Sequence, residues 1–208
     1  MTSLPTGTVT FLFTDIEGST KLAQTHPASW ETSRQRHHSI LRKEFETYQG
    51  HIFQSNGDAF CVAFATALDA LAAAISAQRA LQAEGWPGAP IRVRMGLHTG
   101  AAELRDGDYH GYLTLAHVQR VMSAAYGGQT LVSDATAALL RGQLPDGSAL
   151  RDLGEHRLKG LPNPEHLWQL IMPGLLVDFP PLKSLSTTPN NLPLQVTSFV
   201  GRERELCL

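Results

Sequence analysis

Two carboxylates in the first third of the chain have the surroundings of a metal-binding site. Asp15 lies between the apolar run 9–13 and the loop 16–20, and Asp58 lies in the turn 56–58. If their strands are neighbours in one sheet, the acids meet at one end of it, and such oxygen anions suit Mg²⁺ or Mn²⁺ bound to a nucleotide triphosphate. The loop would offer backbone N–H groups to the phosphates. The alternative is an ordinary helix cap and an ordinary hairpin turn.

The elements that must position these acids follow from the apolar periodicity. Strands and helices alternate in an order that predicts an α/β (α+β) sandwich with a mixed sheet, and not a doubly wound parallel sheet. The predicted strands are 9–13, 51–55, 60–64, 91–98 continued by 101–104, 129–133, 156–158 and 166–171. The predicted helices are one long helix from Ser19 to about Tyr48, then 66–84, 115–125 and 135–140.

Composition narrows the function classes. Of the 208 residues, 42% are hydrophobic and 17% charged, which is typical of a globular protein, and a net charge of −2 gives no reason to expect nucleic acid or a membrane as a direct partner. Cys61 and Cys207 are too far apart in sequence to indicate a disulfide framework or a zinc site. The start MTSLPTG has no signal-peptide pattern and no apolar run is long enough to span a bilayer, so a cytoplasmic location is expected.

The composition changes after residue 172. Five prolines lie among Ser, Thr and Asn residues there, as in a linker: Pro173, Pro180, Pro181, Pro189 and Pro193. Residues 191–206 resemble the entry to the signal-transduction ATPase domain of large bacterial regulators. We therefore expect a domain at 1–172, and at 173–208 a Pro-rich linker with the truncated start of a regulatory ATPase module that is fused to or associated with it.

Six segments in order make the chain similar to the class III nucleotidyl (adenylate/guanylate) cyclase catalytic domain. They cover about residues 7–171 and are VTFLFTDIEGST (9–20), GDAF (57–60), RMGLHTG (94–100), GDYHG (107–111), RVMSAA with GGQ (120–129) and RLKGL (157–161). Palm-type polymerases and diguanylate cyclases share the paired carboxylates but not the last two segments. The resemblance implies a ferredoxin-like core with a mixed, largely antiparallel sheet flanked by helices.

The resemblance also implies an activity and a set of roles. The reaction is conversion of ATP to 3′,5′-cyclic AMP and pyrophosphate in intracellular signalling, at sites between the two subunits of a homodimer. Two Mg²⁺ or Mn²⁺ ions per site would be held by Asp15, Asp58 and the backbone of Ile16. The expected phosphate contacts come from Lys159 and from the loop residues Ile16, Gly18, Ser19 and Thr20. Arg120 corresponds to the arginine that steadies charge in the transition state.

Two departures from the family pattern affect substrate and rate. Gln54 replaces a lysine that reads adenine together with an aspartate, whose position Asp108 occupies; ATP remains the expected substrate, with GTP possible. An asparagine that orients the ribose is absent. Counting from Gly111 puts Leu115 in its place, and counting from Arg120 puts Ala116 there.

Loss of the ribose contact predicts a slow enzyme, since a lost positioning contact costs on the order of 10²-fold in rate. The polar neighbours Thr114, His117 and Gln119 could replace the asparagine if the helix start is shifted. The alternative function is a catalytically degenerate cyclase-homology domain. It would bind nucleotide or dimerise as a module of a transcriptional regulator.

Overall fold

A computed structural model of the chain describes residues 4–105 and 108–185. The described residues form eight strands and five helices. In chain order they are β1 (Gly7–Ile16), α1 (Ser19–Thr25), α2 (Pro27–Thr47), β2 (His51–Asn56), β3 (Ala59–Phe64), α3 (Ala67–Ala83), β4 (Val93–Arg105), β5 (Asp108–His110), α4 (Tyr112–Ala124), β6 (Thr130–Ser133), α5 (Asp134–Leu140), β7 (Ala149–His156) and β8 (Glu165–Ile171). The turn predicted at 106–108 falls mostly outside the described residues.

The strands form one mixed sheet, in the order β2-β3-β1-β4-β6-β8-β7, with β5 paired to β4 beside this path. Only the β4–β6 pair is parallel among the described pairs. The order β2-β3-β1-β4, with helices between β1 and β2 and between β3 and β4, is the ferredoxin-like arrangement. The predicted fold class, a mixed and largely antiparallel sheet flanked by helices, is confirmed.

Apolar side chains of the central strands pack on both faces of the sheet, because successive residues of a strand point to opposite sides. Leu12 of β1 packs with Leu41 of α2 and Leu71 of α3 on one face. Phe11 packs with Val118 of α4 on the other face. The central strand β1 is therefore buried on both sides, and its end is held rigidly between two helix layers.

The single long helix expected from Ser19 to Tyr48 is a wrong prediction. The structure has two helices, α1 and α2, separated at His26. Pro27 is the first residue of α2, where its missing N–H is harmless, but it could not continue α1 because it donates no hydrogen bond to the preceding turn. The loop after Asp15 therefore leads into a helix of seven residues.

The strand expected at 156–158 is also misplaced. The strand that pairs with β8 is β7, which begins at Ala149 and ends at His156. It lies at the edge of the sheet and carries Arg151, Asp152 and Glu155, so its pattern is polar where a buried strand would be apolar. Charged side chains are common on edge strands, and because of them β7 contains no apolar run that would predict a strand.

The chain after β8 continues along the domain as an extended segment without helix or strand, as far as residue 185. Leu182 and Ser184 of this segment are buried. Within residues 4–105 and 108–185, no helix is both long and apolar enough to cross a membrane.

Candidate active site

Asp15 lies at the end of β1, directly opposite Arg94 of β4 in the register of the two strands. Nε of Arg94 donates a hydrogen bond of 3.0 Å to Oδ2 of Asp15, and Nη2 forms an ion pair with the same oxygen. The second carboxylate oxygen, Oδ1, is not used by these bonds. Asp15 is therefore oriented by a cation and keeps one oxygen for another partner.

Asp58 lies beside Asp15 at the same end of the sheet. The register pairs Thr14 with Phe60, so Asp15 and Asp58 come one and two residues beyond that pair on neighbouring strands about 5 Å apart. Nε2 of His38 in α2 lies 2.8 Å from the carbonyl of Gly57 and fixes the turn. Oδ2 of Asp58 is buried and accepts no hydrogen bond from any described residue.

A buried carboxylate oxygen without a partner is costly, and a divalent cation is a fitting partner for it. No group of three or more His, Cys, Asp or Glu side chains within the described residues could hold a metal ion. Mg²⁺ commonly takes only one or two protein carboxylates and obtains its other ligands from phosphates and water. The pair Asp15 and Asp58 fits that mode of binding.

Hydrogen bonds of Glu17 attach the loop between β1 and α1 to neighbouring segments of the chain. The N–H of Glu17 donates to the carbonyl of Arg92 at 3.0 Å, and Oε2 of Glu17 accepts from the N–H of Gly127 at 3.0 Å. Burial raises the pKa of the Glu17 carboxyl, but hydrogen bonds from Lys183 and from Gly127 outweigh burial and keep the pKa below its ordinary value. The side chain of Glu17 thus stays ionised and ties the loop to its neighbours.

The loop residues expected to contact phosphate lead from the end of β1 into the first turn of α1. Gly18 precedes the helix with φ of 69°, a left-handed conformation that glycine adopts without strain. Ile16 is buried, while Gly18 and Thr20 are exposed and Ser19 is half-buried. Because α1 has seven residues, its aligned dipoles contribute less than the long helix expected from the sequence would.

Gln54 and Asp108 are the sequence neighbours of two members of an aromatic cluster. Their neighbours Phe53 and Tyr109 contact each other with ring centroids 4.9 Å apart, and both rings contact Phe11 of β1. Gln54 and Asp108 are both exposed. The cluster brings together the two segments that carry the proposed base-reading residues, which are far apart in sequence.

Arg120 is positioned by the close packing of α4 on β4. A Cβ atom on Gly96 would lie 2.5 Å from the backbone nitrogen of Met122, so only glycine allows this approach. At the far side of the helix the Arg120 guanidinium lies next to the turn after Lys159, since a Cβ on Gly160 would be 3.8 Å from its Nε. The structure thus brings Arg120 and the Lys159 turn together.

None of the three polar residues that could replace the missing asparagine is free for that role. Thr114 is buried and donates to the carbonyl of Ala101 at 2.7 Å, and Gln119 bonds Ser123 one turn further along α4. His117 stacks on His98 at 4.0 Å between ring centroids. Nε2 of His117 also lies 2.8 Å from Glu165, but without the alignment of a hydrogen bond.

The proposed site residues fall into two groups within one chain. Asp15, Asp58 and the loop 16–20 form the first group. The second comprises Arg120 and the turn at Lys159, which lie next to each other. No hydrogen bond or ion pair between described residues joins Arg120 to Asp15. Each group is incomplete as a site for a nucleotide triphosphate.

Sequence reasoning assigned no role to two cations near the first group. Arg94 belongs to a quoted motif, but its contact with Asp15 depends on the register of β1 and β4, which the sequence does not reveal. Lys183 lies 166 residues from its partner Glu17 in a segment expected to be a linker. No local pattern signals either contact.

Comparison with known proteins decides the family. Residues 1–172 match the family model described as the adenylate and guanylate cyclase catalytic domain. The chain is a member of this cyclase family.

Relatives of this cyclase domain are found in bacteria and fungi. It is 40% identical over 205 residues to uncharacterized proteins of Mycobacterium tuberculosis and Mycobacterium bovis, and each match covers 97% of this chain and 70% of the relative. It is 29% identical over 222 residues to an adenylate cyclase of Podospora anserina, a match that covers 80% of this chain but 10% of that protein.

Solved cyclase structures share the fold of this cyclase domain. An adenylate cyclase of Trypanosoma brucei in its monomeric state superposes with a TM-score of 0.79 at 26% identity, covering 87% of this chain and 94% of that one. The adenylyl cyclase CyaB of P. aeruginosa superposes with a TM-score of 0.66 at 22% identity, covering 79% and 94%. The latter likeness concerns the fold alone.

Proposed function

We propose that the protein is a homodimeric, metal-dependent class III cyclase that converts ATP to 3′,5′-cyclic AMP and pyrophosphate in intracellular signalling. The 3′-hydroxyl oxygen attacks the α-phosphorus, the bond to the bridging oxygen breaks, and pyrophosphate leaves while the hydroxyl proton passes to solvent. Two Mg²⁺ or Mn²⁺ ions, held by Asp15, Asp58 and the backbone of Ile16, would activate the hydroxyl and neutralise phosphate charge.

The observation that carries this proposal is the unpartnered, buried Oδ2 of Asp58 beside Asp15. Two acids at this sheet end, one of them unsatisfied, favour a cation-dependent function over a purely structural turn. Arg94 adds to the case, because its guanidinium fork is held at the same place by Asp15. Arg94 holds Oδ2 of Asp15, which leaves Oδ1 for a cation.

The separation of the two residue groups supports a dimer in which each site takes one group from each chain. Asp15, Asp58 and the loop residues Gly18, Ser19 and Thr20 would hold the triphosphate. Arg120 of the partner subunit would stabilise charge that develops on the α-phosphate and pyrophosphate, and Lys159 of the partner subunit would hold the terminal phosphates. Neither cation makes an ion pair within the described part of its own chain.

The hydrogen-bonding groups of Asp108 and Gln54 predict which base is preferred. Asp108 can accept a hydrogen bond from the N6 amino group of adenine, and Gln54 can donate one to N1. Guanine presents an O6 acceptor to Asp108, so GTP should be the poorer substrate. Both side chains are exposed in the single chain, as residues that complete a site across an interface must be.

A second candidate function is a degenerate cyclase domain that binds nucleotide or only dimerises and transmits that state. Leu115 and Ala116 have no polar side chain, and the polar residues around them are engaged elsewhere. In this case the domain would act on a regulatory ATPase module. Residues 191–206, which suggest such a module, lie outside the described residues.

The deciding experiment measures cyclic AMP formed from ATP, and cyclic GMP formed from GTP, with Mg²⁺ or Mn²⁺. We expect slow, Mn²⁺-stimulated formation of cyclic AMP that Asp15→Ala and Arg120→Ala each abolish. Arg79→Ala, a change at an exposed arginine of α3, is the matched control and should retain the full rate. Product from all three variants at the wild-type rate would reveal a contaminating cyclase. No product from the wild type, combined with nucleotide-dependent dimerisation, would favour the second candidate.

A further inference from the structure

Residues 173–185, which we call the strap, lie beyond the range that matches the cyclase family and yet are fastened to the domain. The mycobacterial relatives match 97% of the chain, so their similarity extends past residue 172. Hydrogen bonds attach the strap to the domain along its length, four of them as follows. They join Arg151 Nη1 to Val177 O at 2.9 Å, Tyr126 Oη to Pro181 O at 2.9 Å, Lys183 N to Ala124 O at 3.1 Å and Leu185 N to Arg157 O at 2.9 Å.

Lys183 of the strap has three partners through its side-chain ammonium group. Its Nζ donates to Oε1 of Glu17 at 2.6 Å and to the carbonyl of Ala125 at 3.3 Å. The same ammonium lies 4.1 Å from the centre of the Tyr126 ring. Three partners of different chemistry therefore converge on one cation, which is unusual for a lysine in a simple linker.

Two partners of Lys183 connect it to the two residue groups of the candidate site. Glu17 follows Ile16 in the loop that is proposed to carry the triphosphate. Ala125 directly follows α4, and it lies five residues after Arg120. In the proposed dimer the loop and Arg120 of one chain serve different sites, so one lysine contacts elements of both.

The sign of the charge explains why a cation is required at this point. An unpaired carboxylate of Glu17, inside the loop 16–20, would repel a triphosphate. Lys183 neutralises that charge and holds Glu17 where its other oxygen accepts from Gly127. Without Lys183, the loop would lose both its charge balance and one of its fixed points.

We propose that Lys183 is a positioning residue of the cyclase site, which holds the loop 16–20 and the end of α4 in place from the strap. This inference rests on the proposed function for its consequence in catalysis. The alternative is a simple packing role. In that case the strap would only cover apolar surface of the domain through its buried Leu182.

The test compares the full 208-residue chain with Lys183→Met, which keeps the stem without the charge, and Lys183→Arg, which keeps the charge. Lys43→Met removes an exposed lysine paired to Glu44 at 3.9 Å and is the matched control. The primary measurement is hydrogen exchange at the amides of Glu17 and Gly127. We expect Lys183→Met to accelerate exchange there about five- to tenfold, Lys183→Arg to restore most of the protection, and Lys43→Met to change nothing.

A second measurement follows the cyclase reaction in the same variants. We expect Lys183→Met to raise KM for ATP about fivefold with a smaller change in kcat, because the loop is mispositioned while Arg120 remains. Wild-type exchange in Lys183→Met, equal exchange in the Met and Arg variants, or acceleration spread over the whole domain would each overturn the inference. Absence of cyclic nucleotide from the wild type would contradict the proposed function, and the exchange result would still decide the role of Lys183.

Discussion

The ribose-orienting position is the place where a single substitution should raise turnover. The structure makes α4 continuous from Tyr112 to Ala124, so Ala116, four residues before Arg120, lies on the same helix face as that arginine. Leu115 is rotated by about 100° from Ala116 around the helix axis. We expect Ala116→Asn to raise kcat by up to about 10²-fold, as a restored positioning contact would. Leu115→Asn is the matched control and should give no gain.

Steady-state rates with saturating ATP and Mn²⁺ test this expectation. An acceleration with Leu115→Asn and not with Ala116→Asn would mean that α4 begins differently in the dimer. No gain from either variant would contradict the explanation of slow turnover by a missing ribose contact.

Gln54 is the residue at which base preference should be adjustable. It is exposed in β2, where the pairing with β3 is irregular between Ile52 and Gln54. A lysine there can donate a charge-assisted hydrogen bond to adenine N1 but faces the protonated N1 of guanine. We expect Gln54→Lys to increase the ATP/GTP ratio of kcat/KM by about tenfold. A ratio equal to that of the wild type would show that residue 54 does not face the base.

The contact between α4 and β4 is the element-scale feature that positions Arg120. A methyl group on Gly96 would come within 2.5 Å of the Met122 backbone, so Gly96→Ala must push the helix outward. We expect a loss of about 1–3 kcal/mol in the free energy of unfolding, together with reduced activity. Gly85→Ala is the control, since nothing lies within 4 Å of its added Cβ, and it should change stability by less than about 0.5 kcal/mol.

Urea unfolding of both variants provides the measurement. Equal stability of Gly96→Ala and the wild type would mean that α4 can shift at little cost. The position of Arg120 would then have to be set by other contacts.

The helices and strands that the sequence predicts correctly are marked by residues within the element or its turn. The elements that it mispredicts have no such residue pattern. The hairpin of β2 and β3 was predictable, because Asn56 and Gly57 mark a turn between two apolar runs. The break before α2 was missed, since the apolar spacing continues through Pro27 and only the proline interrupts it. The strand β7 was missed for the opposite reason, because its charged edge residues carry no apolar pattern.

The site shows the same limit of sequence reasoning. The predicted neighbourhood of Asp15 and Asp58 follows from adjacent strands, and the register of β1 and β3 supports it. Arg94 and Lys183 were not predicted as their partners, because both contacts join residues far apart in sequence. Such pairs depend on the sheet order, which local patterns do not determine.

The whole domain should lose stability in mild acid because of two buried histidines. Burial lowers the pKa of His37 to about 3 and of His98 to about 4. In the unfolded chain both take up protons near pH 6.5, so the folded state binds fewer protons below that pH. The free energy of unfolding should therefore fall, by about 1.4 kcal/mol per pH unit for each histidine, from about pH 6.5 down to the folded pKa values.

Replacing His37, whose ring nitrogens have no partner among the described residues, tests this expectation. The stability of His37→Phe should fall less steeply than that of the wild type between pH 7.5 and 5.0, as measured by urea unfolding. His110→Gln, at an exposed histidine of β5, is the control and should keep the wild-type slope. An unchanged slope in His37→Phe would mean that His37 is protonated in the folded protein.

The assembly as a whole is tested by mixing two inactive chains. If each site takes Asp15 from one chain and Arg120 from the other, Asp15→Ala and Arg120→Ala are each inactive alone. Equal mixing would make half of the dimers mixed, and each mixed dimer would contain one intact site, so roughly a quarter of the wild-type rate should return. The rate of cyclic nucleotide formation after mixing is the measurement, and two portions of Asp15→Ala mixed together are the control. Persistent inactivity of mixtures that demonstrably exchange subunits would mean that both groups serve one site within a single chain.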